Sequence, residues 1–547
     1  MLKIFIISII SIISIITTLT STSSFSKELE ELFINVPASA NNSNNTPPVV
    51  SPSQPPPTGY LGGHKIKILW AILTNPLTTQ VIFNFSEKHK AVINKKKLEY
   101  RSATSFTWYG TVEDKPLEDI VVTIHNGKIY ASLKIENHFF VLYTLPSTSS
   151  EFEYAIADYE YKQPDLINDA IIPSNLNSDS KSDNNKTNTS NTSNLTSKAN
   201  DDGTLMDILV VYTTAAASAA SSVGGIDLLI QNAVDTTNLI LSNSDVNYRV
   251  RVVRSQEVIY TDPVDIEIAL DQVTDSSDGN IDSVHTLRDE VGADFVSFWV
   301  KYLGGPYAGI GYLLTTGSAS SRAPAAFTVV AMEAGYDNSV TFAHELGHNW
   351  GAHHERANAT RQGSYYYSYG YYTGVYGTIM SYQYQGARVK YFSNPAKQYN
   401  GATLGVGIEN QSTAANNSLT LNNQALQSAS YRTTVIDPGN TTTITSTGVA
   451  AIELMKKKTM VEGCFIATAA YGTPFDKDLD ILRRFRDEIL ETYSLGRWFT
   501  NFYYQNSPPL ARWLVHNSWA QKPTRLLLKP VVLFANYLLK NRGKKNK

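Results

Sequence analysis

Residues 344–354 read His-Glu-Leu-Gly-His-Asn-Trp-Gly-Ala-His-His, and they hold four of the chain's ten histidines. On a helix, His344 and His348 lie one turn apart and project from the same face, a spacing that suits two ligands of a tetrahedral zinc ion. Gly351 allows the backbone to turn, so that His354 can supply a third ligand. Three protein ligands leave the fourth zinc position open, as in a catalytic site.

Glu345 follows the first of these histidines, within reach of a water at the metal. We expect Glu345 to act as the general base that takes a proton from this water and passes it to the leaving amine. His353 is an alternative third ligand, but the spacing from Gly351 favours His354, and we expect His353 to be exposed or to lie behind the ligands. An HExxH pattern alone also occurs by chance, so the interpretation depends on the residues downstream.

The complete pattern HExxHxxGxxH resembles the extended zinc signature of the metzincin clan of metallopeptidases. Residues 377–382, Gly-Thr-Ile-Met-Ser-Tyr, resemble the Met-turn, which in that clan passes beneath the zinc. The resemblance covers about residues 207–433 and is closest to the bacterial reprolysin-like (M12B-type) group, of which residues 207–213 and 391–395 are typical.

This resemblance implies a multidomain α+β chain. Its catalytic domain would have a twisted, mostly parallel sheet with an antiparallel edge strand, an active-site helix and a Met-turn. One catalytic Zn²⁺ is implied, and a structural Ca²⁺ stays open. Met380 would be structural, whereas Tyr382 could assist the metal, as in astacins and serralysins, or have no such role, as in most reprolysins.

Length and composition indicate several domains in an exported protein. At 547 residues the chain is too long for a single core. The net charge of −3 gives no sign of a nucleic-acid partner. A single cysteine, Cys464, excludes intramolecular disulfides, which in an exported protein favours a bacterial source.

The domain organisation follows from changes in composition along the chain. A positive start, an apolar run and small residues indicate a secretory signal peptide, and hence a secreted or cell-surface protein. Proline-rich and Asn/Ser-rich tracts separate regions with apolar periodicity. The predicted units are residues 1–26 signal peptide, 27–59 disordered Pro/Asn/Ser tether, 60–165 β-rich propeptide-like domain, 166–203 disordered linker, 204–435 catalytic domain, 436–460 linker and 461–547 C-terminal domain.

The C-terminal domain is expected to be small and mainly helical. Residues 463–532 resemble the CFI-box domain of exported bacterial and archaeal proteins. Residues 461–547 carry 14 Lys/Arg against 7 Asp/Glu, so the basic tail could contact an anionic membrane or cell surface. The alternative is a helical domain whose basic face is simply solvated.

A proenzyme needs a group that occupies the open zinc position. Cys464 lies beyond the protease, which excludes a prodomain cysteine and leaves an aspartate or a histidine. His64 and Asp201 are the candidates named from the sequence.

The substrate cleft is implied by the resemblance. Residues 309–313 would form an exposed edge strand that binds the substrate backbone. Arg388 and Lys390 follow the Met-turn, where the family builds the pocket for the residue after the cut, so we expect a preference for acidic side chains.

The sequence therefore predicts a secreted zinc endopeptidase, made as a zymogen, that cleaves proteins or peptides; its oligomeric state is left open. A thermolysin-like protease, the enzymatic alternative, would need a distant glutamate as third ligand, and Gly351 and His354 argue against it. The alternative from another class is a non-catalytic surface or adhesion protein that retains a metalloprotease fold.

Overall fold

A computed structural model of the protein describes residues 31–36, 60–74, 78–102, 104–115, 118–146, 152–160, 169–173, 202–315, 317–333, 337–382, 388–435, 465–473 and 476–545. The predicted signal peptide, Asp201, the linker at 436–460 and Cys464 lie outside these residues.

The strands of the described part are, in chain order, β1 Phe33–Asn35, β2 Tyr60–Ile68, β3 Gln80–Asn84, β4 Lys90–Ser102, β5 Ser105–Val112, β6 Asp119–His125, β7 Lys128–Ile135, β8 His138–Thr144, β9 Tyr154–Glu160, β10 Ala170–Ile171, β11 Leu205–Thr213, β12 Arg249–Val258, β13 Phe295–Lys301, β14 Gly309–Tyr312, β15 Phe327–Met332, β16 Asn394–Tyr399 and β17 Ala402–Leu404.

The α-helices are α1 Trp70–Leu73, α2 Thr214–Ser221, α3 Ile226–Asn243, α4 Ile266–Thr274, α5 Ser283–Val291, α6 Ala319–Arg322, α7 Asn338–Asn349, α8 Asn417–Ser428, α9 Phe465–Tyr471, α10 Lys477–Glu488, α11 Ser494–His516 and α12 Ser518–Lys545. Short 3-10 turns follow α6 and α10 at Ala323–Ala325 and Leu490–Thr492.

A six-stranded sheet in the order β10-β14-β15-β13-β11-β12 forms the centre of the catalytic region. Strands β12, β11, β13 and β15 are parallel, and β14 is antiparallel to β15. The apolar run at residues 208–211 is fully buried, as expected for a strand covered on both faces. The region therefore has the mixed helix and sheet content of an α+β metallopeptidase domain.

A second, nine-stranded antiparallel sheet precedes it, in the order β1-β2-β9-β8-β7-β6-β5-β4-β3. One face of this sheet packs with α1 around Phe83 and Trp108. The other face, which includes Val141 and Tyr143, shares one continuous buried core with the catalytic region. Helix α3 contacts both β6 of this sheet and α7, so it connects the N-terminal sheet to the helix that carries the HExxH pattern.

A buried polar network crosses this interface. Asp235 on α3 is 4% exposed and accepts hydrogen bonds from Thr107 Oγ1 at 2.5 Å and Thr123 Oγ1 at 2.8 Å. The guanidinium of Arg101 lies 3.0 Å from the same carboxylate. A buried charge needs such partners, so this network fixes how the N-terminal sheet is docked.

Helices α9 to α12 form the C-terminal region, in which α9 contacts α1 of the N-terminal sheet. Two small cores, around Leu510 and around Phe485, hold these helices together. Several large apolar side chains remain exposed on α11 and α12, among them Trp498, Trp519 and Leu526. No described helix is long and apolar enough to cross a membrane.

Three sequence-based expectations about the chain's organisation are wrong in detail. The tether predicted at residues 27–59 contains β1, because Leu32 and Phe33 are buried in the N-terminal core. The linker predicted at 166–203 contains β10, which pairs with β14. Strand β14 is therefore not the exposed edge of the sheet in this structure.

Asp235→Ala should lower the free energy of unfolding by about 2–4 kcal/mol, because it leaves the partly buried Arg101 without its carboxylate. Guanidinium denaturation measures this loss. Glu290→Ala is the control, because it removes the exposed partner of Arg254 and should cost less than about 1 kcal/mol. Equal effects of the two variants would contradict the structural role assigned to Asp235.

Candidate metal centre

Helix α7 presents the histidines at the edge of the sheet. It begins after Asp337, whose side chain accepts a hydrogen bond from the Val340 backbone N–H. It ends before Gly351, which has a φ of +84°, a conformation that residues with a Cβ rarely adopt. A Cβ at that position would also lie 1.9 Å from Ser364 Oγ. The turn at Gly351 brings His354 back beneath the helix.

The three predicted ligands converge on one point. His354 Nε2 lies 3.2 Å from His344 Nε2 and 3.1 Å from His348 Nε2. Zn–N bonds of 2.0–2.1 Å in a regular tetrahedron place the nitrogens about 3.3 Å apart. All three side chains are essentially buried, so the spacing fits a zinc ion.

The hydrogen bonds made by the Nδ1 atoms of two of these histidines indicate that a metal ion belongs between the Nε2 atoms. His344 Nδ1 lies 2.8 Å from the Ile379 carbonyl, and His348 Nδ1 lies 3.0 Å from the Ala352 carbonyl. Because a carbonyl oxygen only accepts, each Nδ1 carries a proton, and in the neutral ring each Nε2 then presents a lone pair. Lone pairs that face one another repel unless a cation lies between them.

Asp169 completes a group of four potential ligands, which we call the His–Asp cluster: Asp169, His344, His348 and His354. One carboxylate oxygen, Oδ1, lies 2.8 Å from His354 Nε2 and 3.1 Å from His348 Nε2. The other oxygen, Oδ2, lies 3.5 Å from His344 Nε2. The carboxylate thus stands where the fourth corner of a tetrahedron is expected.

The Met-turn packs directly against helix α7 at Gly347. Met380 is fully buried, and a Cβ on Gly347 would lie 2.6 Å from its sulfur. The absence of a side chain at Gly347 therefore lets the helix rest directly on Met380. The Tyr382 hydroxyl donates to Asp169 Oδ1 at 2.5 Å and accepts the Asp169 backbone N–H at 3.0 Å.

Glu345 lies between the helix and β14. A Cβ on Gly309 would lie 2.6 Å from its Oε1 atom, so only glycine leaves room for the carboxylate here. Its Oε2 atom is buried and has no hydrogen-bond partner among the described residues. Glu345 is thus placed beside the His–Asp cluster with one oxygen uncommitted.

Burial favours the neutral imidazole at two of the three histidines. Burial lowers the pKa of His348, and it lowers that of His354 to about 3 despite the nearby Asp169 carboxylate. Burial alone would raise the pKa of Asp169, whereas positive charge at His344 and His354 lowers it well below its usual range, so this carboxylate favours a cation at the cluster. Burial and the Asp169 charge raise the pKa of Glu345, an effect that a bound dication would oppose.

The structure places two nearby histidines that the sequence singled out. Of the two positions predicted for His353, exposed or behind the ligands, the structure shows the second: the side chain is fully buried, its ring centroid lies 4.9 Å from that of His354, and its Nδ1 atom accepts the His354 backbone N–H at 2.9 Å. His64 belongs to β2, where it pairs with Ile156, and it takes no part in the His–Asp cluster.

Sequence reasoning missed Asp169 altogether. The only local signal is an aspartate followed by the short apolar run Ala-Ile-Ile at 170–172, inside a tract that otherwise has the composition of a linker.

Comparison with known proteins identifies a family that part of this chain resembles. Residues 202–411 match the family described as Metallo-peptidase family M12B, reprolysin-like. This part of the chain therefore resembles a reprolysin-like metallopeptidase domain.

Curated relatives match part of the chain. The "Peptidyl-Asp metalloendopeptidase" of Stenotrophomonas maltophilia R551-3 is 32% identical over 227 residues, 39% of this chain and 51% of that protein. The proteins of the same name from Xanthomonas campestris and Pseudomonas aeruginosa are 31% and 29% identical, over 40% and 43% of this chain and 50% and 42% of their own lengths. The chain thus spans about half the length of the curated relatives it matches.

A solved structure, titled "Structure of a chaperone-substrate complex", aligns with 42% of this chain and 35% of its own at 19% identity. Its TM-score of 0.34 is too low to support an argument about the fold.

His354→Ala should remove most of the bound zinc, because it takes away one of three nitrogen ligands. Metal analysis of the purified chain measures the zinc-to-protein ratio. His353→Gln is the matched control, since His353 is buried beside the ligands but outside the His–Asp cluster. If the His353 variant lost its zinc and the His354 variant kept it, the ligand assignment would be reversed.

Proposed function

We propose that this protein is a secreted zinc-dependent endopeptidase, made as a zymogen, that hydrolyses peptide bonds with Glu345 as general base. The observation that carries the proposal is the convergence of three buried imidazole nitrogens beside an uncommitted carboxylate oxygen of Glu345. The metallopeptidase family of residues 202–411 supports zinc as the ion and proteins or peptides as the substrates.

The residues around the cluster have distinct tasks in this proposal. A zinc ion bound by His344, His348 and His354 supplies Lewis acidity toward water and the scissile carbonyl. Glu345 takes the proton of the attacking water and transfers it to the leaving amine. The family resemblance assigns β14 to the substrate backbone, and its backbone N–H groups at Gly311 and in the residue after the strand, Leu313, would bind the substrate as an added strand.

The assignment of domains is part of the same proposal. Residues 60–165, together with β1, would be the propeptide, which is supported by the extensive core that one face of its sheet shares with the catalytic region. Residues 1–26 would direct secretion. The basic C-terminal region, with its exposed apolar side chains on α11 and α12, stays a candidate for contact with a cell or membrane surface.

The proposal includes a preference for substrates with an acidic residue next to the scissile bond. Relatives that match about two fifths of this chain are named peptidyl-Asp metalloendopeptidases. Arg388 lies close enough to Glu345 for its positive charge to counteract the rise in the pKa of that carboxyl group. Its guanidinium donates at 3.0 Å to the carbonyl of Ser381, which belongs to the Met-turn. In this proposal, Arg388 binds the carboxylate of an aspartate next to the scissile bond.

Lys390, the other basic residue predicted for this pocket, behaves differently. Its ammonium donates to the Asp119 carbonyl of the N-terminal sheet at 2.8 Å. Because the described contact of Arg388 lies within the catalytic region, whereas that of Lys390 is to the propeptide-like sheet, the proposal assigns the acidic preference to Arg388.

Glu345→Gln should lower casein hydrolysis by about 10²–10⁴-fold, the usual contribution of a general base. Its zinc content should stay at the wild-type level, because the histidines are untouched. Glu290→Gln, an exposed substitution in the same domain, serves as the control. Chelator-resistant proteolysis, or near-normal hydrolysis by the Glu345 variant, would refute the proposed function.

Arg388→Gln should reduce kcat/KM for a peptide with aspartate after the cut by about tenfold to a hundredfold, as expected for one lost hydrogen bond to a charged group. A peptide with leucine in that position should be affected much less. Both peptides are assayed with the form of the protein that hydrolyses casein. Lys390→Gln is the matched control, and an equal loss in both variants would contradict the role of Arg388.

A further inference from the structure

The segment 169–173 lies, in sequence, between the N-terminal sheet and the catalytic region, and it contributes Asp169 to the His–Asp cluster. Asp169 lies 175 residues before His344 in the sequence, yet its carboxylate is within 3.5 Å of the Nε2 atoms of all three histidines. Oxygen ligands bind zinc at about 2.0–2.2 Å, nearly the same distance as imidazole nitrogens. The Asp169 carboxylate is therefore suited to a single metal ion shared with the three imidazoles.

The backbone of this segment occupies the binding edge of the catalytic sheet. Gly311 N–H donates to the Asp169 carbonyl at 3.1 Å, and Leu313 N–H donates to the Ile171 carbonyl at 2.7 Å. The two residues of β10 are aligned parallel to β14, with Ala170 opposite Gly311. These N–H groups are the ones that an added substrate strand would use. The segment and a substrate thus exclude each other.

Tyr382 holds the carboxylate in place from the Met-turn side. Its hydroxyl contacts both the side chain and the backbone N–H of Asp169, at 2.5 and 3.0 Å. Its own backbone N–H donates to Glu355 Oε2 at 2.9 Å, which fixes the turn. Burial and the charge of Asp169 raise the pKa of the phenol, so the hydroxyl stays protonated and can donate. Tyr382 is therefore a positioning residue for Asp169.

We propose that Asp169 is the fourth metal ligand of the uncleaved chain, and that the segment 169–171 keeps the protein latent by filling both the open metal position and the substrate-binding edge. This inference rests on the proposed function, because latency has meaning only for a peptidase. It assigns to Asp169 the task that the sequence left to His64 or Asp201.

Because Asp169 is covalently attached to the catalytic region, its single carboxylate can compete with substrate for the metal. A tethered group competes with substrate at an effective concentration of the order of millimolar. The N-terminal sheet, docked through the Asp235 network, keeps the tether short. Activation therefore requires that the segment 169–171 leave the cleft.

The first test replaces Asp169 by cysteine in cobalt-loaded full-length protein. Thiolate is a zinc and cobalt ligand, and its bond to Co²⁺ produces an intense near-ultraviolet charge-transfer absorption. Asp169→Cys should show this band with one cobalt per chain. The wild-type chain, whose single thiol is Cys464, is the blank, and Asp202→Cys is the control, because Asp202 is exposed and outside the cluster. A fully loaded Asp169→Cys protein without the band would overturn the ligand assignment.

The second test compares intact chains, with integrity checked by mass spectrometry. Asp169→Asn, which cannot supply an anionic ligand, should hydrolyse a short peptide at least about tenfold faster than the intact wild type, in line with the effect of removing one supporting interaction at a metal site. Asp169→Cys should remain latent. If intact Asp169→Asn were as inert as the wild type while processed wild-type protein cleaved casein, latency through Asp169 would be wrong and the proposed function would stand.

The two proposals fail in distinguishable ways. A thiolate–cobalt band in Asp169→Cys together with no proteolysis by any form of the protein would support the ligand assignment and overturn the peptidase. Proteolysis by the protein without the thiolate–cobalt band in Asp169→Cys would support the peptidase and overturn the ligand assignment.

Discussion

The mutual repulsion of buried lone pairs is the constraint on which the site depends. Three imidazole nitrogens about 3 Å apart and a carboxylate beside them form an unfavourable arrangement unless a cation offsets it. The backbone carbonyls of Ile379 and Ala352 fix two of the rings with their lone pairs inward. The protein thus holds a set of donors that only a metal ion satisfies fully.

Glycines at three points of close contact keep the set of metal-binding side chains rigid. Gly309 lets β14 lie against Glu345, and Gly347 lets the helix rest on Met380. Gly351 ends the helix in a conformation that returns His354 to the site. Each contact leaves too little space for a Cβ, so the sheet, the helix and the Met-turn have fixed distances from one another. Rigid support of this kind is what a catalytic metal site requires.

The helix and its ligands could be predicted from the sequence because their geometry is local. The spacing of His344, His348 and His354 determines where the rings point once a helix and a turn are assumed. The clan resemblance added the sheet and the Met-turn. By contrast, the burial of His353 depends on packing that no spacing rule describes.

Long-range contacts explain what the sequence could not reveal. Strands β1 and β10 are short apolar pieces within polar tracts, and they become strands only by pairing with distant residues. Asp169 owes its place to such a pairing. Lys390 appeared equivalent to Arg388 until the docked N-terminal sheet supplied a carbonyl to bind it.

If the segment 169–171 keeps the protein latent as proposed, a single carboxylate links the docking of the N-terminal sheet to latency. A crystal structure of the uncleaved protein, with anomalous data collected at the zinc edge, tests this most directly. The account predicts one zinc peak within about 2.0–2.2 Å of three imidazole Nε2 atoms and an Asp169 oxygen. A zinc ion bound by the three histidines and water, with Asp169 elsewhere, would contradict it.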